Sequence, residues 1–594
     1  MFLQQSAAET PQSGLESRPT RVGGGRFLLC FDGRLDNRED IARLLGIDLS
    51  DTLPDSALVS AAWCRWQDES LHRLLGDFAM AAWDSQRREL TLACDAGLGG
   101  RPLYYHESSG HIAFANTLAL LLRMPDVPRD LDLPATAASA HWQWPADGRT
   151  WYRHIRQLPP AGRLRWSGSG CRVDRYWRPD WSRRVRFARD ADYVDAAREL
   201  LDRAVAVHCR VSGPLVCELS GGLDSTAVAA TAARLNPSRP VHCITVVPDG
   251  RARQLPEAGS AFHDEWSHAE AVARRYPNII PLRVTATPPT AADLDPVPRF
   301  ARLGGPVSNL YDRAWFEAGR RQVRALGAGT VLAGTSGNLT LSHGGMSHLT
   351  DLARQGRWLS LLKHATELGR WPGLRRSRLL RRAFAAAWWP DVARGSHDLG
   401  PAVREAHRKS PYRLETAGPP ERRERQILLE RLVEGRRLVG SFARHWQGIE
   451  VRDPLGYRPL LEFCLAIPSD QYLADGMPRS LARRVLADRL PISVTMEARR
   501  GRQAPELSTT IWNDRLHLRT ELDRMAQSSA VSEILDIAWL RALLEGLPSS
   551  PDRIGQAEAV SLRLAVAAMA MGQFILWVEA GTPGLDLSDS PAGP

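Results

Sequence analysis

From Arg26 onward the apolar residues fall into a readable order. Phe27-Leu28-Leu29-Cys30-Phe31 reads as a strand and Asp32-Gly33 as a hairpin turn. Asp55 to Trp66 has helical spacing, and Phe78 to Asp84 and Glu89 to Asp95 read as strands paired across a polar turn. Residues 1 to about 25 are rich in Ser, Gln and Gly without periodicity, which predicts a mobile N-terminal segment before a first domain at 26–180. A different order begins near Asp190 and defines a second domain over 190–594. Helical spacing from Tyr193 to Val207 leads into the short apolar run Leu215 to Leu219. Val241 to Val247, Ile279 to Val284 and Thr330 to Gly334 follow, separated by helical stretches. Strands alternating with helices predict a parallel sheet and an α/β fold in this half. Beyond Leu352 the pattern is largely helical, with a Pro- and Arg-rich stretch near Ser396 to Arg425 that reads as mobile.

The run ending at Leu219 enters Ser220-Gly221-Gly222-Leu223-Asp224-Ser225, and an alanine-rich helical stretch follows to Leu235. Two adjacent glycines let backbone N–H groups turn inward at low steric cost, toward the point faced by the positive end of the helix. Such a concavity suits a polyphosphate. Asp224 beside that anion calls for a cation between them, and Mg²⁺ bridging its carboxylate and phosphate oxygens meets the need. The plainer reading has Ser220 or Asp224 merely capping the helix. The complete Ser-Gly-Gly-x-Asp-Ser string between strand and helix favours the phosphate turn. In parallel sheets ligands bind beyond the carboxyl ends of the strands, so Gly334-Thr335-Ser336-Gly337-Asn338 can face the same ligand.

At 594 residues the chain is too long for one core. Eight scattered cysteines without a Cys-x-x-Cys pair fit buried cytosolic thiols better than zinc ligands or disulfides. No apolar signal core stands near the N-terminus, so a cytoplasmic protein is expected. Leu564 to Val578 is apolar but short and interrupted by Gln573, which reads as a buried helix and not a membrane span. The net charge of +10 draws on arginines between Arg370 and Arg437. Without a nucleic-acid-binding motif these read as solvated helix faces, and no nucleic-acid partner is expected.

The turn at 220–225 resembles the pyrophosphate loop of the ATP pyrophosphatases, the group that includes asparagine synthetases. The N-terminal half resembles a class II glutamine amidotransferase domain, an N-terminal-nucleophile sandwich of two sheets between helices. Its matching strings are Asp32 to Arg38, Leu75 to Ala79, Asp95 to Tyr105 and Phe114-Ala115-Asn116. Family glutaminases use a cysteine exposed at the N-terminus, whereas position 2 here is Phe2 and the first cysteine is Cys30. The expectation is a degenerate domain that releases no ammonia from glutamine. It would serve as a support or as a surface for another protein.

Together with Gly334 to Gly345 and Arg499-Arg500-Gly501-Arg502-Gln503, this half makes the chain resemble the lasso-peptide cyclases, a macrolactam-forming branch of the asparagine synthetase relatives. The resemblance implies ATP and Mg²⁺ as cofactors, with Asp224 as metal ligand and Asp224, Glu265 and Arg500 as catalytic residues. It implies ATP-binding roles for Leu219, Ser220, Gly221, Gly222, Asp224, Ser225, Val246, Ala333, Gly334, Asn338, Arg499 and Arg502. Asn338 aligns with a family aspartate that can hold a second metal, and its plain alternative is a turn residue tolerating positive φ. The arginines stand where relatives place a lysine that neutralises pyrophosphate, or else they are solvated charges on a polar loop. Asp264 and Glu265 also suit a helix start, where acids are favoured.

The implied reaction adenylates an Asp or Glu side chain of a leaderless core peptide. Attack by the peptide's own N-terminal amine then closes an isopeptide ring and releases AMP. Implied partners are the precursor peptide, a leader peptidase and a leader-recognition protein, with no membrane. The alternatives are an amide ligase of the asparagine synthetase or β-lactam synthetase kind, a catalytically inactive scaffold and, third, a tRNA-modifying ATP pyrophosphatase.

Overall fold

The computed structural model describes residues 10–585 except 17–18, 99, 141–147, 250–260, 288, 290, 308–309, 372–373 and 389–419. The N-terminal half holds β1 (Thr20–Val22), β2 (Phe27–Leu35), β3 (Gly76–Asp84), β4 (Glu89–Cys94), β5 (Tyr104–Ser108), β6 (His111–Ala115), β7 (Arg156–Gln157), β8 (Gly162–Ser167) and β9 (Gly170–Arg175). They form a six-stranded antiparallel sheet, β1-β2-β3-β4-β8-β9, and a three-stranded sheet, β6-β5-β7. Period-two alternation buries both faces of the larger sheet. Phe78, Met80 and Ala82 pack with Leu58 and Val59 of α1 (Asp55–Trp66), while Ala79, Ala81 and Leu92 pack with Leu103 and Tyr105.

Two expectations change here. Thr20–Val22 pairs with β2, so the ordered sheet starts inside the segment read as mobile. Asp32-Gly33 is not a turn but the interior of β2, where Gly33 faces Phe78. A Cβ on Gly33 would lie 2.5 Å from the Asp77 carbonyl oxygen and 2.6 Å from Phe78 Cα. The glycine therefore permits a close strand approach in place of a chain reversal.

The second half is built on β10 (Leu215–Glu218), β11 (Val241–Val247), β13 (Ile279–Thr285), β14 (Thr330–Leu332) and β15 (Glu450–Arg452). A further short strand, β12 (Ala261–Phe262), pairs in parallel with Arg500–Gly501. The main sheet has the order β13-β11-β10-β14-β15 and is parallel throughout. Helices α2 (Asp190–His208) and α3 (Leu223–Leu235) pack on it through Leu201, Val205, Val228 and Ala232. Further along come α4 (Leu310–Ala325), α5 (Pro420–His445) and α6 (Gln556–Glu579). One described helix segment, Ala557–Glu579, is long and apolar enough to cross a membrane. Its Leu562, Phe574 and Ile575 are fully buried against Trp151, Tyr152 and Phe300, as a core helix requires.

The Ser396–Arg425 stretch lies mostly outside the described residues, but from Pro420 it is the first turn of α5. Arg425 and Arg437 on that helix are buried, contrary to the expectation of solvated arginines. Arg425 lies over the Tyr472 ring at 4.5 Å, and Arg437 donates to the Leu158 carbonyl at 2.9 Å. Arginine suits such places because its planar fork stacks and its charge is weakly hydrated. The two halves meet through a buried ionic knot. Glu450 of β15 accepts from Arg34 at 3.1 Å and Arg452 at 2.8 Å, with Arg101 at 3.7 Å. These three guanidinium groups hold the Glu450 carboxyl far below the usual range despite its burial.

Candidate functional site

The turn after β10 is tied to itself and to β11. Ser220 N–H donates to Ser225 Oγ at 2.9 Å, and Gly222 N–H donates to Ser220 Oγ at 3.1 Å. Leu219 N–H donates to the Ile244 carbonyl at 2.9 Å, and Thr245 Oγ1 donates to the Leu219 carbonyl at 2.7 Å. The residue preceding α3 is Gly222, and no side chain caps the helix. The capping reading of Ser220 and Asp224 therefore fails, and Asp224 lines the cleft.

Glu265 is buried and accepts the Gly221 N–H, pinning the turn from the side. Burial, with a smaller push from Asp264, raises its carboxyl to about 7. Its side chain lies against Gly501, where a Cβ would stand 2.6 Å from Glu265 Cδ and overlap the carboxylate. Gly221 in turn fits only because it lacks a side chain, since a Cβ there would meet the Phe262 ring at 3.0 Å.

The loop after β14 closes the other wall. A Cβ on Gly334 would lie 2.6 Å from Asp224 C, and one on Gly337 would lie 2.9 Å from Asp224 Cβ and nearer still to the carboxylate. Both glycines let this loop rest directly on Asp224. Asp453 fixes the loop. Its Oδ2 accepts from Thr335 Oγ1 at 2.5 Å, Ser336 N–H at 2.8 Å and Ser336 Oγ at 2.6 Å, with Arg436 at 3.4 Å. Desolvation raises the Asp224 carboxyl, aided by Asp453 and opposed by a Ser342 hydrogen bond and by Arg479. Asn338 is exposed and accepts from Arg479 at 3.2 Å. Its φ is not positive, so it is not the left-handed turn residue considered from the sequence.

Between the walls lies a cleft of about 370 Å³. Leu219, Ser220, Gly222, Asp224 and Ser225 line it from the turn, joined by Val246, Glu265, Gly334 and Asn338. Gly221, Ala333, Arg499 and Arg502 are not among its described lining residues, and the Arg500 side chain lies outside the described residues. Ala333 is buried and donates its N–H to the Arg452 carbonyl at 2.7 Å. Arg499 pairs with Glu497 at 2.9 Å and lies over the Phe262 ring at 5.2 Å. Arg500 pairs its backbone with Ala261, and Arg502 N–H donates to the Phe262 carbonyl at 2.9 Å. The arginine run thus docks as a strand beside the turn, and among the described side chains of this segment Gln503 reaches the cleft.

Sequence reading missed Glu218 and Arg320, which pair at 2.8 Å in the cleft. Arg320 comes from α4, which carries no motif, and only the topology brings it to the end of β10. Among the described residues, Arg320 is the single cation against three lining carboxylates, Glu218, Asp224 and Glu265. That balance favours a ligand arriving with its own cation. No described group of three or more His, Cys, Asp or Glu side chains could hold a metal alone. One carboxylate plus ligand phosphates is, however, an ordinary magnesium set, and Asp224 fits it.

A sequence profile for asparagine synthase matches residues 196–579, and one for a glutamine amidotransferase domain matches residues 13–177. A Bacillus subtilis protein named glutamine-hydrolysing asparagine synthetase 3 is 29% identical over 228 residues, covering 37% of this chain and 36% of its own. Asparagine synthetase 1 of the same organism is 25% identical over 216 residues, covering 36% and 33%. An amidase of Gibberella zeae is 25% identical over 191 residues, covering 30% and 27%. The chain spans about a third of the length of these relatives. The first profile covers well over half of the sequence, and its region contains both walls of the cleft: the protein belongs to the asparagine synthase family.

Proposed function

We propose that the protein is an ATP-dependent, AMP-forming amide ligase whose substrate is a leaderless lasso precursor peptide. The observation that carries the ligase reading is the direct packing of Gly334 and Gly337 on Asp224. It sets one carboxylate between a phosphate-type turn and a second strand-end loop in a cleft with one cation, Arg320, among its described lining residues. Asp224 would hold Mg²⁺ together with phosphate oxygens, and the ion would neutralise charge on the polyphosphate.

The remaining steps fall to the chain and its substrates. A side-chain carboxylate of the peptide attacks the α-phosphorus of ATP, breaking the bond to the β-phosphate oxygen and releasing pyrophosphate. The peptide's N-terminal amine attacks the acyl-adenylate carbonyl, an amide bond forms, AMP leaves and one proton passes to a base. Glu265, held near 7 at the cleft wall, is poised to accept it at neutral pH. The walls also shield the adenylate from water.

Two observations support an amine within the substrate over ammonia from glutamine. Burial pushes the Cys30 thiol of the N-terminal half to about 12 and those of Cys94 and Cys171 to about 11, with Cys64 also raised. None is an activated thiolate nucleophile. In addition, the neutral Asn338 lines the cleft at a place where the family resemblance implies an acid. A leader peptidase and a leader-recognition protein belong to this reading as partners. A second reading, an amide ligase acting on a small molecule, is favoured by the asparagine synthetase names of the relatives.

Incubation with ATP, Mg²⁺ and candidate leaderless peptides, followed by mass spectrometry, tests the proposal. The expected product has lost one water with stoichiometric AMP. Amidation of a free amino acid by ammonia or glutamine would overturn the peptide assignment.

A further inference from the structure

Beyond the cleft, the largest cavity among those described is a groove of about 730 Å³. Its floor is apolar, formed by Val297, Leu576, Trp577 and Pro583. Its rim carries Asp295, Asp514 and Glu521 against His517 and Arg524. Arg524 is paired with Glu521 at 2.9 Å, and Asp514 accepts the Tyr311 hydroxyl, so the uncompensated rim charge is negative. This acidic, apolar trough stands out on a chain of net charge +10.

The groove is linked to the cleft by two elements. Helix α4 places Tyr311 in a small chamber that shares Leu294, His517 and Gln573 with the groove. One turn later the same helix places Trp315 in the cleft, and then Phe316, Gly319 and Arg320. At 1.5 Å per residue, Tyr311 and Trp315 are about 6 Å apart along the helix. The second link runs from Gln503 in the cleft, through buried Leu507 and Ile511, to Asp514 on the rim. Groove and cleft are therefore close neighbours across α4, separated by the buried side chains of Tyr311 and Trp315.

We propose that this groove seats an apolar, basic segment of the peptide substrate while its reacting carboxylate lies in the cleft. The assignment rests on the peptide-ligase reading and adds the substrate's chemistry to it. Charge complementarity names the occupant, because cationic side chains beside apolar ones match an acidic rim over a hydrophobic floor. The chain's own C-terminal residues match poorly: after Leu585 they contain Asp586 and Asp589 and one leucine, Leu587.

The test is direct binding by the full chain, without turnover. The probes are C-terminally fluorescein-labelled Gly-Leu-Phe-Lys-Leu-Lys and Gly-Ser-Ser-Glu-Ser-Glu, followed by anisotropy. The basic peptide is expected to bind saturably and the acidic one not to bind. Ala580→Trp, which fills the exposed rim, and Asp295→Lys, which reverses its charge, should each weaken binding at least tenfold, with ATP binding unchanged within twofold. Equal binding of both peptides, or no effect of either variant, overturns the proposal. So does binding seen only after removal of residues 586–594, which would make the C-terminal segment the occupant. A groove that fails while peptide-dependent AMP formation persists leaves the ligase reading standing. Saturable groove binding without peptide-dependent AMP formation sinks that reading instead.

Discussion

Substituting Gly337 by Ala adds one methyl group at the point where the second loop rests on Asp224. The backbone there has no positive φ, so alanine brings no conformational penalty and the effect is purely steric. The new Cβ would lie 2.9 Å from Asp224 Cβ and overlap its carboxylate, whereas ordinary contact begins at 3.4 Å. Loop or carboxylate must therefore retreat by roughly an ångström, a misplacement that costs about a hundredfold in rate, or about 3 kcal/mol of transition-state stabilisation. Overpacking adds about 1–3 kcal/mol of lost stability. Pyrophosphate release and thermal unfolding should both report the change. Gly344→Ala is the control, since its nearest neighbour, Met346 Cγ, is 3.9 Å away, and it should be silent. In an Asp224→Ala background only part of the stability cost of Gly337→Ala should vanish, because the overlap with the carboxylate is gone while the 2.9 Å approach to the residue 224 Cβ remains. A Gly337→Ala enzyme with the wild-type rate and melting temperature would refute the packing argument.

Asp224→Ala should abolish pyrophosphate release while circular dichroism shows an intact fold; as burial raises this carboxyl, removing its charge costs no stability at neutral pH. Glu265→Gln should slow ring closure by about a hundredfold or more and flatten the pH–rate profile around 7, read by single-turnover AMP release. Because the Glu265 carboxyl is raised in the folded state, its contribution to stability is full below about 4.5 and is lost as pH rises through about 7. The Gln variant should accordingly unfold at higher denaturant at pH 8, by at most about 3 kcal/mol. Glu450→Ala should cost up to about 3–5 kcal/mol in denaturant unfolding, since three buried guanidinium groups lose their shared carboxylate while Arg34 keeps Asp36 and Arg101 keeps Asp32. As the Glu450 carboxyl is depressed, its contribution is present above about pH 4.5 and lost only as pH falls well below that value.

The parallel sheet was legible because its buried strands are continuous apolar runs punctuated by glycine. The turn at 220–225 was legible because its chemistry is written in consecutive residues. Glycine was the weak point elsewhere. Gly33 reads as a turn from its neighbours, yet it exists for a strand contact with Phe78, distant in sequence. Arg499, Arg500 and Arg502 show the same limit: charge identifies a cation, not the Glu497 and Phe262 that occupy Arg499. Arg320 and Glu218 lie about a hundred residues apart and become a pair only through helix packing. Local periodicity contains no signal for such a contact.

The ionic knot gives these long-range contacts a common direction. On β15 and the residue after it, Glu450 and Asp453 are three positions apart, about 10 Å along an extended chain. Glu450 is gripped by Arg34 and Arg101 from the N-terminal half, while Asp453 grips Thr335 and Ser336 beside Asp224. Arg436 of α5 reaches Asp453 at 3.4 Å and, with Asp77 and Asp95, lines a small chamber between the halves. Burial and mutual repulsion raise the Asp95 carboxyl to about 7. The cations of the N-terminal half thus fix the strand that orients the cleft loop. Whatever chemistry that half performs, removing it would take Arg34 and Arg101 from Glu450 and loosen the strand that carries the anchor of the loop resting on Asp224. The cleft and the N-terminal sheets are one mechanical unit, so selection on the cleft alone suffices to retain both.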